Sequence, residues 1–350
     1  MGGLLTEEPT QMRTPDRHRF TRRDFVAGGS ALGAASLFGI QSTPAAEPPP
    51  EVSSIRIPDW SAICLAPQYV AEGLLRSEGF TDIRYLEAVY PGPGQSFVSP
   101  GKADFDMDTP SMILTYLDAG APLVTLAGVH LGCYELFGTE RVRSIRDLKG
   151  KTVPVDGLDG AKHVLLSSMA AYVGLDPRKD IDWLDVPNEE GLKLFAEAKI
   201  DAFLGYPPEP QELRARKIGR VVVNTATDKP WSQYYCCMLY ARRDFVHAYP
   251  VATKRLTRAI LKATDLCAQD PERAARQIVD KGFTPSYDYA LQTLREVPYN
   301  VWRTYDPEDT LRFNALRLHD VGLIKSTPQR LIAQGTDWRF LNELKKELKA

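Results

Sequence analysis

The chain has 350 residues, of which 43% are hydrophobic and 25% charged, and a formal net charge of −2. This is the composition of an ordinary globular protein, and so even a charge balance leaves no electrostatic footprint for nucleic acid or an anionic membrane surface. The length suits two lobes at ~150 residues per domain.

The first element is Thr21-Arg22-Arg23-Asp24-Phe25-Val26-Ala27, an arginine pair and an aromatic leading into an uncharged stretch from Phe25 to Ile40. Small residues follow up to Ala46, and then the prolines 48–50. A charged start, an apolar middle and a small-residue end are the layout of an export signal. The arginine pair marks the twin-arginine route, which carries proteins already folded. The uncharged stretch falls short of the ~20 residues that span a bilayer. The expectation is therefore a signal peptide over residues 1–46, cut after Ala45 or Ala46, and a periplasmic protein. Its removal takes away five arginines and four acids, moving the net charge from −2 to −3.

Beyond the signal, strand-like and helix-like segments alternate. Ile55-Arg56-Ile57 predicts a short strand and Pro67 to Ser77 a helix. Ile83 to Ala88 alternates again, as does Asp104-Phe105-Asp106-Met107-Asp108. Thr109 is a good N-cap and Pro110 fits the first helical position, so a helix is expected to start there. Strands are expected at 121–129, 152–155, 181–185, 201–205 and 221–223, with helices from about Gly160 to Val173 and Glu189 to Ala198. From Asp244 onward the pattern is helical. Strands separated by helices predict α/β sheets covered by helices.

Four segments, "Gly101-Lys102-Ala103-Asp104-Phe105", "Asp118-Ala119-Gly120-Ala121-Pro122", "Ile145-Arg146-Asp147-Leu148-Lys149-Gly150-Lys151-Thr152-Val153" and "Lys199-Ile200-Asp201-Ala202-Phe203", occur in this order. Together they resemble the solute-binding proteins of ABC importers for nitrate, aliphatic sulfonates and taurine. Those are relatives of the proteins that bind, and in fungi make, the thiamine pyrimidine. The resemblance covers roughly residues 53–320. It implies a two-lobe periplasmic-binding-protein architecture (type II), with ligand held between the lobes. Lobe one would comprise 51–137 and 242–350, and lobe two 138–241. It also implies a small-molecule ligand, a membrane permease as partner, a monomer and no cofactor.

The five cysteines, Cys64, Cys133, Cys236, Cys237 and Cys267, show no C-x-x-C spacing, so neither a disulfide framework nor a zinc site is indicated. Cys236 and Cys237 are neighbours on an expected strand, where successive side chains point to opposite faces. They cannot jointly grip one ion, and packing is the expected role. Fungal pyrimidine synthases carry a denser cysteine motif at a similar place, which Met238 and Leu239 interrupt here.

Binding residues are expected in loops at the carboxyl ends of strands. The loop 59–67 offers Trp60, Cys64 and Leu65, where Trp60 is either a flat ligand wall or a core side chain. Thr109, Pro110 and Ser111 open a helix whose free backbone N–H groups and hydroxyls suit an anion, although plain capping also explains them. The turn ending in Gly160, Ala161, Lys162 and His163 opens the next. In the resembled family a small-residue turn here meets the ligand's anionic group. Glu135 at the expected first crossover, Tyr206 and Glu209 after a lobe-two strand, and Tyr235 at the return complete the candidates. The two glutamates are either acceptors for a ligand amino group or surface acids.

The function expected is capture of a small organic anion or zwitterion, sulfonate- or taurine-like, with a thiamine pyrimidine precursor or another heteroaromatic as the alternative. The histidines His130, His163, His247 and His319 are scattered without ligand spacing. Hydrolase elbows, phosphate loops and dinucleotide fingerprints are all missing from the sequence, so an enzyme on this fold and a sensor without a permease are the lesser readings. Ligand turnover would mark the first, and genomic separation from permease genes the second.

Overall fold

Ile55 and Ile57 are wholly buried while Ser54 is exposed, the half-buried alternation that makes the first strand, β1 (Ser54–Asp59). The computed structural model describes residues 47–348, and Pro48 onward forms one unit. The expected signal at 1–46 lies outside the described residues.

The helix expected over 67–77 is two short ones, α1 (Ala66–Val70) and α2 (Glu72–Ser77), joined at Ala71. β2 (Asp82–Glu87) runs parallel to β1, with Ile55 opposite Ile83. β3 (Phe105–Asp108) leads into α3 (Pro110–Asp118), whose start is as expected, with the Thr109 hydroxyl accepting from the Met112 amide. β4 (Leu123–Leu131) is buried along its whole length. Then come β5 (Glu135–Gly138), β6 (Lys151–Val155), α4 (Ala161–Tyr172), β7 (Ile181–Asp185) and α5 (Asn188–Ala196). β8 (Ala202–Gly205), α6 (Glu209–Ala215), β9 (Arg220–Asn224) and β10 (Tyr235–Arg242) follow. The remainder is helical, as its pattern predicts: α7 (Arg243–Ala248), α8 (Pro250–Gln269), α9 (Pro271–Asp280), α10 (Tyr287–Glu296), α11 (Pro307–Asp320), α12 (Pro328–Gly335) and α13 (Arg339–Glu347). Among the described residues no helix is long and apolar enough to cross a membrane.

The strands form two parallel pairs, β1–β2 and β6–β7, and two antiparallel three-stranded sheets, β3–β10–β4 and β8–β5–β9. Both boundaries expected between the lobes fall inside a strand. β5 contains residue 137 and pairs with β8 and β9, whereas β10 contains 241 and pairs with β3 and β4. The chain passes between the two sets of sheets earlier, at 132–134 and 225–234.

These two passages run against each other. The Thr225 amide donates to the Tyr134 carbonyl at 2.9 Å, and the Tyr134 amide donates to the Thr225 hydroxyl at 3.0 Å. Gly132 permits the approach: a β-carbon there would sit 2.1 Å from the Thr225 carbonyl group.

Candidate functional site

Strands β1, β2, β3, β6 and β8 aim their carboxyl ends at one cavity of about 150 Å³, where an open α/β arrangement places ligands. Trp60, Cys64 and Leu65 reach it from the segment after β1, and Tyr90 from beyond β2. Asp108 and Thr109 arrive from the junction of β3 and α3, and Tyr134 from the first passage. Asp156, Gly160, Ala161 and Lys162 lie between β6 and the first turn of α4, Tyr206 follows β8, and Cys237 comes from β10.

Of the residues the sequence singled out, Trp60, Cys64, Leu65, Thr109, Gly160, Ala161, Lys162 and Tyr206 line this cavity. Pro110, Ser111, Glu135, His163, Glu209 and Tyr235 are not on its wall. Ser111 is fully buried and shares a 3.2 Å hydroxyl contact with Thr109. Pro110 and Tyr235, with Thr109, border a second cavity of about 40 Å³. The Tyr235 ring fills the space over Gly128, where a β-carbon would come within 2.3 Å of it. His163 packs its ring edge-on against Trp183, 4.6 Å between centroids, and accepts the Asp159 amide at Nδ1. Burial lowers its basicity, so it is a neutral imidazole rather than a cation for an anion.

Both glutamates serve as counter-ions inside the protein. Glu135 is buried and accepts from Arg214 and from Asn224, tying β5 to α6 and β9. Arg214 reaches on to Glu296 of α10 at 2.6 Å. Glu209 receives the Lys162 ammonium at 3.1 Å, the Asn188 amide and the Tyr206 backbone N–H at 3.2 Å. Lys162 is 2% exposed, and its ammonium also bonds Asn188 and lies over the Phe203 and Tyr206 rings at 4.7 and 5.0 Å. Burial raises the Glu209 carboxyl although Lys162 pulls it down, so desolvation outweighs the attraction.

The acids of β3 are drawn inward. Asp104 pairs with Arg56 at 2.6 Å. Asp106 is wholly buried and accepts from Trp60 Nε1 at 3.1 Å and Tyr240 at 3.0 Å. Burial, then the nearby Asp108 charge, push its carboxyl well above the usual range. Asp108 accepts from the Thr109 amide at 2.6 Å and the Tyr116 hydroxyl at 2.8 Å, and burial pushes it up to about 6. Trp60 is thus fixed by Asp106 where it borders the cavity. Tyr90 adds a buried hydroxyl without a hydrogen-bond partner among the described residues.

Two carboxylates, Asp108 and Asp156, therefore border a cavity whose lysine is already matched by Glu209. Trp60, Tyr90, Tyr116, Tyr134 and Tyr206 supply flat apolar wall, and among the described residues no arginine lines it. Helix α4 opens at the cavity without a side-chain cap, leaving its first N–H groups for a polar or anionic atom. Such a site suits a small molecule with a donor or cationic group at one end and an acceptor at the other. Sequence reasoning missed Asp108, Asp156 and the three tyrosines other than Tyr206. Only the alternation of Asp104, Asp106 and Asp108 hinted at one of them.

Cys64 and Cys237 form the floor, and behind them lie His130, Cys133 and Cys236, all buried. Cys133 and Cys236 have their sulfurs 3.3 Å apart, unbonded. Either sulfur of that pair can donate to the other, and burial pushes the Cys133 thiol up.

The model of the NMT1-like family matches residues 138–280. The bicarbonate-binding protein CmpA of Synechococcus elongatus is 33% identical over 101 residues, 29% of this chain and 22% of that protein. The 4-amino-5-hydroxymethyl-2-methylpyrimidine phosphate synthase THI13 of Saccharomyces cerevisiae is 26% identical over 224 residues, 60% of this chain and 64% of that one. The chain thus spans about a fifth of the first relative and under two thirds of the second. Among solved structures, the periplasmic nitrate-binding protein NrtA of Synechocystis PCC 6803 superposes with a TM-score of 0.71 at 16% identity, covering 86% of this chain and 90% of that one. The fold is that of the periplasmic binding proteins, and the chain resembles the solute-binding proteins of ABC importers.

Proposed function

We propose that this protein is the exported solute-binding component of an ABC importer, and that its solute is a small organic molecule bearing an amino or similar donor group. The observation that carries the reading is the cavity at the strand ends, bordered by Asp108 and Asp156, with its lysine spoken for by Glu209. A bare inorganic anion gains nothing from two carboxylates and is repelled by them once they ionise. A zwitterion such as an amino-sulfonate sets its ammonium against Asp108 and its acidic end at the start of α4. The aromatic walls also favour a second ligand class, an amino-substituted heteroaromatic ring stacked on Trp60.

Closure of two lobes over the solute would shift an open–closed equilibrium, since a ligand touching both sides favours the closed form. The close run of Gly132–Tyr134 beside Thr225 supports a hinge at that point. In this reading the protein works as a monomer, is periplasmic, hands its solute to a membrane permease and catalyses nothing itself. A thermal-shift screen across taurine, simple sulfonates, nitrate, bicarbonate, aminopyrimidines and aromatic acids tests it. Amine-bearing compounds should stabilise the protein, return chemically unchanged and compact it in solution scattering. Turnover of the bound compound would make it an enzyme, and a response confined to nitrate or bicarbonate would overturn the ligand class.

A further inference from the structure

The floor of the cavity carries a group of side chains that solute capture does not use. Cys64, His130 and Cys237 each offer one donor atom, and these atoms lie within 4.8 Å of one another. His130, Cys133 and Cys236 make a second such group sharing the imidazole. All five residues are buried.

The histidine is already oriented. Its Nδ1 stands 2.6 Å from the Leu131 carbonyl oxygen. A carbonyl can only accept, so Nδ1 carries the proton and Nε2 is left with its lone pair. That Nε2 is buried and has no hydrogen-bond partner among the described residues. A backbone carbonyl holding the far nitrogen, with the near one bare, is how proteins fix an imidazole that ligates a metal. The ring is also braced edge-on by Tyr299, 5.3 Å between centroids, whose hydroxyl donates to the Cys64 carbonyl at 3.0 Å. One tyrosine thus steadies two of the donors.

We propose that Cys64, His130 and Cys237 form a three-ligand site for a thiophilic d10 cation, zinc(II) or copper(I), with its remaining position open to the cavity. Cys64 and Cys237 are the two cysteines that border the cavity, which sets this trio apart from the one with Cys133 and Cys236. Two thiolates and an imidazole are the donors such ions select, and three protein ligands with a vacant fourth are the pattern of an open zinc site. A tetrahedral ion holds its donors about 3.5–3.8 Å apart, so closing the trio around it takes shifts on the order of 1 Å. On binding, each thiol gives up its proton to solvent and its sulfur donates a lone pair to the ion, with no change in oxidation state. The ion also supplies the positive charge that two buried thiolates need. The inference goes beyond the solute reading and does not rest on it.

The test uses the purified full chain, reduced and stripped with a chelator. Zinc(II) is titrated against a chromogenic chelator and copper(I) against a bathocuproine competitor, and the two arms identify the ion. The expected result is one equivalent of at least one ion held with sub-micromolar affinity. Cys64→Ser and Cys237→Ser should each weaken it at least 100-fold, and Cys267→Ser, on α8 outside the group, should leave it unchanged. Because a serine variant can fail to fold, cobalt(II) added to the unaltered chain gives a second readout, a thiolate-to-cobalt charge-transfer absorption. Uptake of neither ion overturns the site, and if zinc(II) is the ion held, absence of that absorption overturns it as well. Binding lost in Cys133→Ser or Cys236→Ser but kept in Cys64→Ser would also overturn it, since the ion would then occupy the other trio.

Discussion

Replacing Glu209 with glutamine would leave the Lys162 ammonium 2% exposed and facing two aromatic rings without its counter-charge. Glutamine keeps the size and one carbonyl acceptor, so the Tyr206 amide and the Asn188 amide lose less than Lys162 does. Breaking a buried pair by removing one partner costs about 3–5 kcal/mol. At roughly 2 °C per kcal/mol for a chain of this size, the melting midpoint should fall by about 6–10 °C. Lys162→Met should cost less, because burial already raises the Glu209 carboxyl and it can take up a proton once the lysine is gone. The Lys162→Met/Glu209→Leu double variant should recover most of the loss, as apolar replacements of buried pairs often do. Urea denaturation of the four proteins measures this. A Glu209→Gln variant within 1 kcal/mol of the parent, or a double variant no better than the single, would refute the reasoning and return Glu209 to the list of ligand contacts.

Asp108 has a folded-state pKa above its ordinary value, pushed up to about 6, and Asp106 is raised as well. These two carboxyls hold protons in the folded protein that they release in the unfolded chain, and for Asp108 the window is about pH 4 to 6, so their contribution to stability falls as pH rises through it. Asp108→Asn should flatten the fall in a pH series of thermal melts, and an unchanged slope would contradict the assignment. Gly132→Ala should destabilise the protein by about 2 kcal/mol or more, since its β-carbon would meet the Thr225 carbonyl group at 2.1 Å. A neutral effect in denaturation would mean that the two passages separate freely. Changing Arg22 and Arg23 both to lysine should hold the precursor in the cytoplasm with its fold intact, as fractionation would show. Undiminished export would replace the twin-arginine route with general secretion.

The parts of this molecule that local chemistry dictates were legible in the sequence. Thr109 and Pro110 announce the start of α3, the apolar run after Ala121 becomes the buried β4, and the helical tail after Asp244 follows its periodicity. The cavity was half legible, because strand ends open it and Trp60, Thr109 and Gly160 to Lys162 stand at such ends. What failed were judgements that depend on a distant partner. Glu135 reads as a free acid until Arg214 arrives from α6, and Glu209 until Lys162 arrives from α4. Asp106 reads only as part of an alternating strand, and its burial shows once Trp60 and Tyr240 donate to it. The cysteines show no ligand spacing because Cys64, the stretch holding His130 and Cys133, and the Cys236–Cys237 pair come from three separate parts of the chain. Neighbouring Cys236 and Cys237 do fall into different donor groups, as strand alternation requires.

The central claim, that an acid-bordered cavity selects an amine-bearing solute, is tested most directly by two compounds that differ in one group. Calorimetry would compare 2-aminoethanesulfonate with ethanesulfonate on the parent protein and on Asp108→Asn. A hydrogen bond between charged groups contributes about 1.5–3 kcal/mol, so the amine should add roughly ten- to a hundred-fold in affinity. That gain should vanish in Asp108→Asn. Equal or tighter binding of ethanesulfonate, or a preference for the amine that survives the substitution, would contradict the account.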